Sequence, residues 1–242
     1  MKVAFFSTCL IDQFRPSAGL AAIDVLERAG CTVDFDHLQT CCSQPAFNAG
    51  HVAEAKPVCQ RTIDRLHAQL ANGCEAIVCP SGSCTAMLHH AATILGSKEA
   101  RLVAERSFEF GSFLIDRLGH PDVGARWYGR VTWHDACHGL RDLGIHDQPR
   151  TLLSRVEGLT LVEAPKCSQC CGFGGTFAAD LPGISLAMAD EKIDELETLN
   201  IDAVASADFS CLMHLEGRLR ARGSTVGVIH LAELLASQDA PR

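Results

Sequence analysis

Apolar positions along the chain fall into short β-rich runs that alternate with longer stretches of helical period. Residues 3–7 read as a buried strand, and residues 16–29, apolar at Leu20, Ile23, Val25 and Leu26, as an amphipathic helix closed by Gly30. A strand at 31–35, a helix at 53–70 ending near Asn72 and Gly73, and a strand at 76–79 follow, with Ser81 as the N-cap of a helix over 84–90. Residues 91–128 predict a helical crossover, patterned on Phe108, Phe113, Leu114, Ile115 and Leu118 and stopped by Gly119 and Pro121. Strands are then expected at 131–133, 159–162 and 204–205, helices at 184–199 and 212–221, and a last strand at 226–229 before a closing helix. Strands alternating with helices favour parallel sheets covered on both faces.

This order of elements occurs twice. The run KVAFFSTCL (2–10) parallels RVTWHDACHGL (130–140), CCSQPAFNAG (41–50) parallels CCGFGGTFAA (170–179), and CEAIVCPSGSCTAM (74–87) parallels IDAVASADFSCLM (201–213). Repetition on this scale indicates a duplicated unit. The expected fold is therefore α/β, two duplicated units with parallel sheets flanked by helices and related by a pseudo-twofold axis: residues 1–90, a crossover at 91–128, and residues 129–242.

With 242 residues, 47% of them apolar, the chain can bury a substantial core as one large domain or two smaller ones. A formal charge of −8 and the lack of a Lys/Arg cluster argue against nucleic acid as a partner. No run approaches the ~18 apolar residues that read as a transmembrane helix, so no transmembrane segment is expected. The N-terminal MKVAFFSTCLID lacks a signal-peptide cleavage pattern, which places the expected location in the cytoplasm.

The duplication concentrates the chemistry in cysteine. Cys9, Cys41, Cys42 and Cys84 recur as Cys137, Cys170, Cys171 and Cys211, each member 127 to 129 residues after its counterpart. The odd total of thirteen and the vicinal pairs fit a disulfide framework poorly, whereas thiols grouped in motifs suit metal ligation or redox chemistry. Cys9, Cys84, Cys137 and Cys211 fall just after predicted strands, where open parallel sheets bind ligands, and Cys84 and Cys211 also open helices. Thiolates select both iron and zinc. Neighbouring thiols can reach different irons of one cluster, a geometry awkward around a single zinc ion. An iron–sulfur centre therefore leads, ahead of a zinc-stabilised scaffold that organises partner proteins and, last, a metal-free thiol oxidoreductase.

The combination of CCSQPAFNAG, CPSGSC, HDACH, CCGFGGTFA and CLMHLEGRL resembles the duplicated cysteine-rich CCG domain of the lactate utilisation protein A family, over essentially the whole chain. More distant similarity is to the B component of heterodisulfide reductase and to the iron–sulfur component of glycolate oxidase. The resemblance implies that residues 1–90 and 129–242 are CCG repeats in an iron–sulfur electron-transfer subunit of a cytoplasmic L-lactate (2-hydroxy acid) oxidation complex. The sister lactate-utilisation proteins B and C would be its partners, with the electron acceptor undefined. It also implies that Cys9, Cys41, Cys42 and Cys84 ligate one cluster, of the 4Fe-4S type, and Cys137, Cys170, Cys171 and Cys211 a second. In heterodisulfide reductase relatives each copy ends in C-x2-C, but Ser81 and Asp208 stand at the first of those positions here, leaving Cys79 as a spare thiol in the first copy only. Ser43 replaces the glycine of the CCG pattern, and some relatives hold zinc in one copy, so the first site is the one expected to take zinc.

No G-x-G-x-x-G follows a strand, so an oxidoreductase subunit acting without flavin, through partner proteins, is expected; Gly172–Gly175 reads as a loop wrapping the centre. His134, His138 and His214 are expected to bond a cluster sulfur or cap a helix rather than ligate iron. His89 and His90 are expected on an exposed helix face, and Cys31, Cys59, Cys74 and Cys167 as small buried apolar groups. Asp190, Glu191, Asp194, Glu195 and Glu197 predict a solvated face, and Arg218, Arg220 and Arg222 charges complementing a helix dipole.

Overall fold

The computed structural model describes residues 1–120 and 122–239; Pro121, expected as a helix stop, lies outside them. The first half runs β1 (Lys2–Phe5), α1 (Cys9–Phe14), α2 (Pro16–Arg28), β2 (Thr32–Phe35), α3 (Gln44–Asn48), α4 (Val52–Ala71), β3 (Ala76–Cys79), α5 (Gly82–Leu95), α6 (Lys98–Arg106), β4 (Ser107–Glu109) and α7 (Phe110–Ser112), which continues as a π-helical turn over Phe113–Arg117. The second half runs β5 (Arg126–Trp133), α8 (Cys137–Arg141), α9 (Asp147–Leu153), β6 (Glu157–Leu161), α10 (Phe177–Asp180), α11 (Pro182–Leu196), β7 (Ala203–Ser206), α12 (Phe209–Ala221), β8 (Gly227–His230) and α13 (Leu231–Ala236). Residues 91–128, expected as a purely helical crossover, thus also carry a strand, because β4 pairs in parallel with β3 and completes the first sheet.

Each half is a four-stranded, all-parallel sheet of the same topology, ordered β2-β1-β3-β4 and β6-β5-β7-β8. Local chemistry explains the boundaries. Pro16 opens α2, where its missing N–H costs nothing, and Gly30 closes it at φ 83, a conformation that disfavours a side chain.

Strand alternation directs one face of each sheet to a shared centre. Val3, Phe5, Ala76 and Val78 from one sheet meet Val131, Trp133, Ala203 and Ala205 from the other in a single central core. The opposite faces build separate outer cores, Ala4, Phe6, Ile77 and Cys79 under α4 and α5, and Val204 under α11 and α12. Phe5, Phe6, Phe110 and Phe113 are fully buried, each worth about 1.5–3 kcal/mol relative to exposure. The halves also exchange covering helices: α13 packs on α2 and α7 on α9.

Candidate metal centre

Because every strand of a sheet runs the same way, the segments that follow β1, β2 and β3, and likewise β5, β6 and β7, emerge at one edge, and they carry all eight duplicated cysteines. Cys9 and Cys137 are the first residues of α1 and α8, and Cys84 and Cys211 lie in the first turns of α5 and α12. In the first quartet the sulfurs of Cys9 and Cys41 are 3.7 Å apart and those of Cys42 and Cys84 are 3.3 Å apart. The Ser43 N–H donates to Cys41 Sγ (3.3 Å), as the Gly172 N–H does to Cys170 Sγ (3.4 Å) and the Phe173 N–H to Cys171 Sγ (3.5 Å).

These contacts divide the thiols into donors and acceptors. The neighbouring Cys42 and Cys9 thiols pull Cys41 far below the ordinary range, and the neighbouring Cys137 and Cys171 thiols do the same to Cys170. The donors Cys9 and Cys137 are pushed up correspondingly. Cys211, although buried, is lowered by the Cys171 thiol. The first cysteine of each vicinal pair is therefore set up as a thiolate, the form that binds metals.

All eight cysteines line one cavity of about 300 Å³ at the seam between the halves. The loops after the vicinal pairs close over it, and a Cβ added at Gly175 would lie 3.6 Å from Pro45. α5 and the short helix α8 also meet there: a Cβ at Gly82 would stand 3.0 Å from the Gly139 Cα, so any larger residue would push the two apart by a few tenths of an ångström. Gly172, Gly174 and Gly175 all have positive φ, and the last two line the cavity, in keeping with a wrapping loop.

Asp208 joins the two sets. Its Oδ1 accepts from the Ser210 N–H (3.3 Å) and hydroxyl (2.6 Å) at the start of its own helix, α12, while Oδ2 accepts from the Ser83 N–H (2.8 Å) and the Ser81 hydroxyl (3.4 Å) at the start of α5. One buried carboxylate thus caps both α5 and α12, the helices that present Cys84 and Cys211. Ser81 is the N-cap of α5, as expected, accepting from the Cys84 N–H (3.4 Å).

Side chains behind the second vicinal pair fix its loop. Arg150 forks onto buried Asp135 (2.9 and 3.0 Å) and onto Glu163 (2.8 and 3.1 Å), while the Trp133 indole also donates to Asp135. Buried Lys192 donates to the carbonyls of Lys166 (3.0 Å), Cys167 (3.3 Å) and Gln169 (3.3 Å), just ahead of Cys170. Sequence reasoning missed both supports. The signal for Lys192 is its period, since it shares the buried face of α11 with Ala189, Ile193 and Leu196.

Of the flanking histidines, His134 is buried with both ring nitrogens unpartnered, and one of them lies within 4.8 Å of the Cys171 and Cys211 sulfurs, which are also within 4.8 Å of each other. Leaving such a group unpaired costs about 1–3 kcal/mol. His138 bonds Asp142 (2.7 Å) and His214 faces Ser185 (3.2 Å). His89 and His90 are exposed. Cys31, Cys59 and Cys74 are buried, but Cys167 is half-buried beside Arg150 (3.7 Å). Cys79 is buried against the Ser81 carbonyl, outside the cavity lining. The charged residues of α11 and α12 are not independent faces: Arg218 pairs with Asp190, and Arg222 with Asp190, Asp194 and Glu197.

The donor set fits a thiolate-held metal centre: four sulfurs from three loops in each half, backbone N–H groups aimed at them, and a buried imidazole with free nitrogens beside the second set. Among the described residues no helix is long and apolar enough to cross a membrane.

A family profile described as CCG, cysteine-rich domain, matches residues 3–89 and 131–216. The chain is 44% identical to lactate utilization protein A of Geobacillus sp. (strain WCH70), the alignment covering 98% of this chain and 100% of the relative. It is 43% identical to that of Geobacillus kaustophilus (strain HTA426), covering 99% and 100%, and 44% identical to that of Anoxybacillus flavithermus (strain DSM 21510 / WK1), covering 97% and 99%.

Proposed function

The chain belongs to the lactate utilization protein A family and contains two cysteine-rich CCG domains, and on that premise we propose that it is the electron-relaying subunit of a complex that oxidises L-lactate or a related 2-hydroxy acid. Cys9, Cys41, Cys42 and Cys84 would hold one iron–sulfur cluster, and Cys137, Cys170, Cys171 and Cys211 a second. Clusters of the 4Fe-4S type, when bound, supply one-electron acceptor and donor capacity. The chain's own residues grip the centres with thiolates, direct backbone N–H groups at the sulfurs and shield them behind the Pro45 and Gly175 loops.

The observation that carries this reading is the convergence of both quartets on one cavity whose described lining holds no lysine or arginine. A 2-hydroxy acid carries a carboxylate, and the one carboxylate side chain in the lining, Asp208, would repel it. That supports relay by this chain and substrate oxidation elsewhere; family membership points to the sister proteins B and C of lactate utilisation as the partners, and the cytoplasm would be the site of action.

A zinc ion in the first quartet is the second reading. Zn–S bonds of about 2.3 Å set tetrahedral sulfurs roughly 3.8 Å apart, and the Cys9 and Cys41 sulfurs are 3.7 Å apart. Metal analysis and EPR of freshly and anaerobically purified protein test both. Brown protein with iron in both quartets and an EPR signal on reduction, losing half its iron in Cys170→Ser, is the expected result. Equimolar zinc with half that iron, the remaining iron being lost in Cys170→Ser, would assign zinc to the first site, and colourless, iron-free protein would end the relay reading.

A further inference from the structure

The two quartets match in sulfur but not in what stands behind it. After β1 the buried Phe6 donates its N–H to the Val78 carbonyl (2.9 Å), and at the same place after β5 the His134 N–H donates to the Ala205 carbonyl (2.8 Å). The two backbones are therefore equivalent in role, and the side chains differ: a phenyl ring in one half, an imidazole in the other. His134 is 1% exposed, neither Nδ1 nor Nε2 has a hydrogen-bond partner, and a ring nitrogen lies within 4.8 Å of Cys171 Sγ and Cys211 Sγ. Its carbonyl is held as well, accepting from the Ser206 hydroxyl (3.0 Å), so the ring is delivered from a backbone fixed on both sides.

Building on the metal-centre reading above, we propose that a ring nitrogen of His134 is a direct ligand of the metal centre held by the second quartet, a fifth donor beside Cys137, Cys170, Cys171 and Cys211. The first quartet has no equivalent, because Phe6 offers no donor atom. Asp208 is already committed elsewhere, its Oδ1 accepting twice from Ser210 and its Oδ2 from Ser83 and Ser81. A neutral fifth donor removes no thiolate from the centre but changes the coordination of one metal atom, so the second centre differs in reduction potential from the all-thiolate first. Lys192, whose ammonium is buried against the carbonyls that precede Cys170, adds positive charge beside the second half only. The two centres are thus unequal.

Pulsed EPR of the reduced, anaerobically purified full chain, prepared with natural and with 15N-labelled histidine, tests the ligand directly. One of the two centres is expected to show a strong nitrogen coupling that changes with the label. His134→Phe, which copies the residue of the first half, is expected to abolish that coupling and to shift one of two midpoint potentials, leaving the other in place. Two reducible centres without any response to the label would overturn the inference while leaving electron relay standing, and the labelled natural chain decides this even where the variant does not fold. Iron missing from both quartets would overturn the relay reading and this inference with it.

Discussion

Two residues with positive φ other than glycine lie in the whole described chain, and both flank the first quartet. Thr8, at φ 67 and ψ 148, delivers Cys9, and Ser43, at φ 74, follows Cys42. Strain of this kind is held in place by surrounding structure and gathers at functional sites. Ser43 was conspicuous in the sequence because glycine follows the vicinal pair in the second copy; Thr8 carried no such mark. Ser43 also buries a hydroxyl without a partner, so Ser43→Gly is expected to stabilise the chain by about 1 kcal/mol in urea unfolding. The reverse change should be far from neutral. A Cβ at Gly172 would stand 2.5 Å from the Ser185 carbonyl oxygen, so Gly172→Ser is expected to cost roughly 2–4 kcal/mol and to empty the second quartet in metal analysis.

Among elements, the strands and long helices were legible because their apolar period is local, and β3 fell on its expected residues, 76–79. What escaped were elements whose pattern is short or interrupted. The β4 strand is only Ser107–Glu109, and α9 carries Pro149 in its first turn, where proline is tolerated but reads as a breaker. The helix starts are the functional part of this scale, since α5 and α12 present Cys84 and Cys211 and share Asp208 as a cap. Asp208→Ala removes both caps and is expected to cost about 2 kcal/mol, at about 1 kcal/mol for each helix. Metal content of the purified variant is the sharper measurement: loading should fall at both quartets, and a loss confined to the second would refute the sharing.

On the scale of the whole molecule, the central core and the exchange of α7 and α13 make the halves one cooperative body. Glu109 sits at this seam. It is 2% exposed, its Oε2 accepts from the Ser112 N–H (2.9 Å), and its Oε1 has no partner. Gly111, next to its carboxylate, lies against Leu231 and Leu152 of the other half. Burial raises its pKa from 4.5 to about 7, with Asp208 and Asp116 adding to the rise. The folded chain therefore holds this proton where the unfolded chain has lost it. Its contribution is complete below the unfolded value of 4.5 and is lost as pH climbs through about 7. Glu109→Gln keeps the shape and the acceptor for Ser112 but cannot ionise. Relative to the natural chain it should gain stability across that window, reaching roughly 3 kcal/mol above neutral pH, as read by urea unfolding at a series of pH values.

Spacing and local period by themselves determined the duplication, the parallel α/β class and the placement of cysteines just past strand ends, because each of these is a relation between residues near in sequence or repeated at one interval. Through-space relations were decided only by the folded chain: that both quartets face a single cavity, that Asp208 caps a helix 125 residues away at Ser83, that Arg218 and Arg222 are spent on α11, and that an unpaired ring nitrogen of His134 lies within 4.8 Å of the Cys171 and Cys211 sulfurs. Such contacts leave no periodic trace, since they depend on how two sheets pack and on which side chains that packing strips of water.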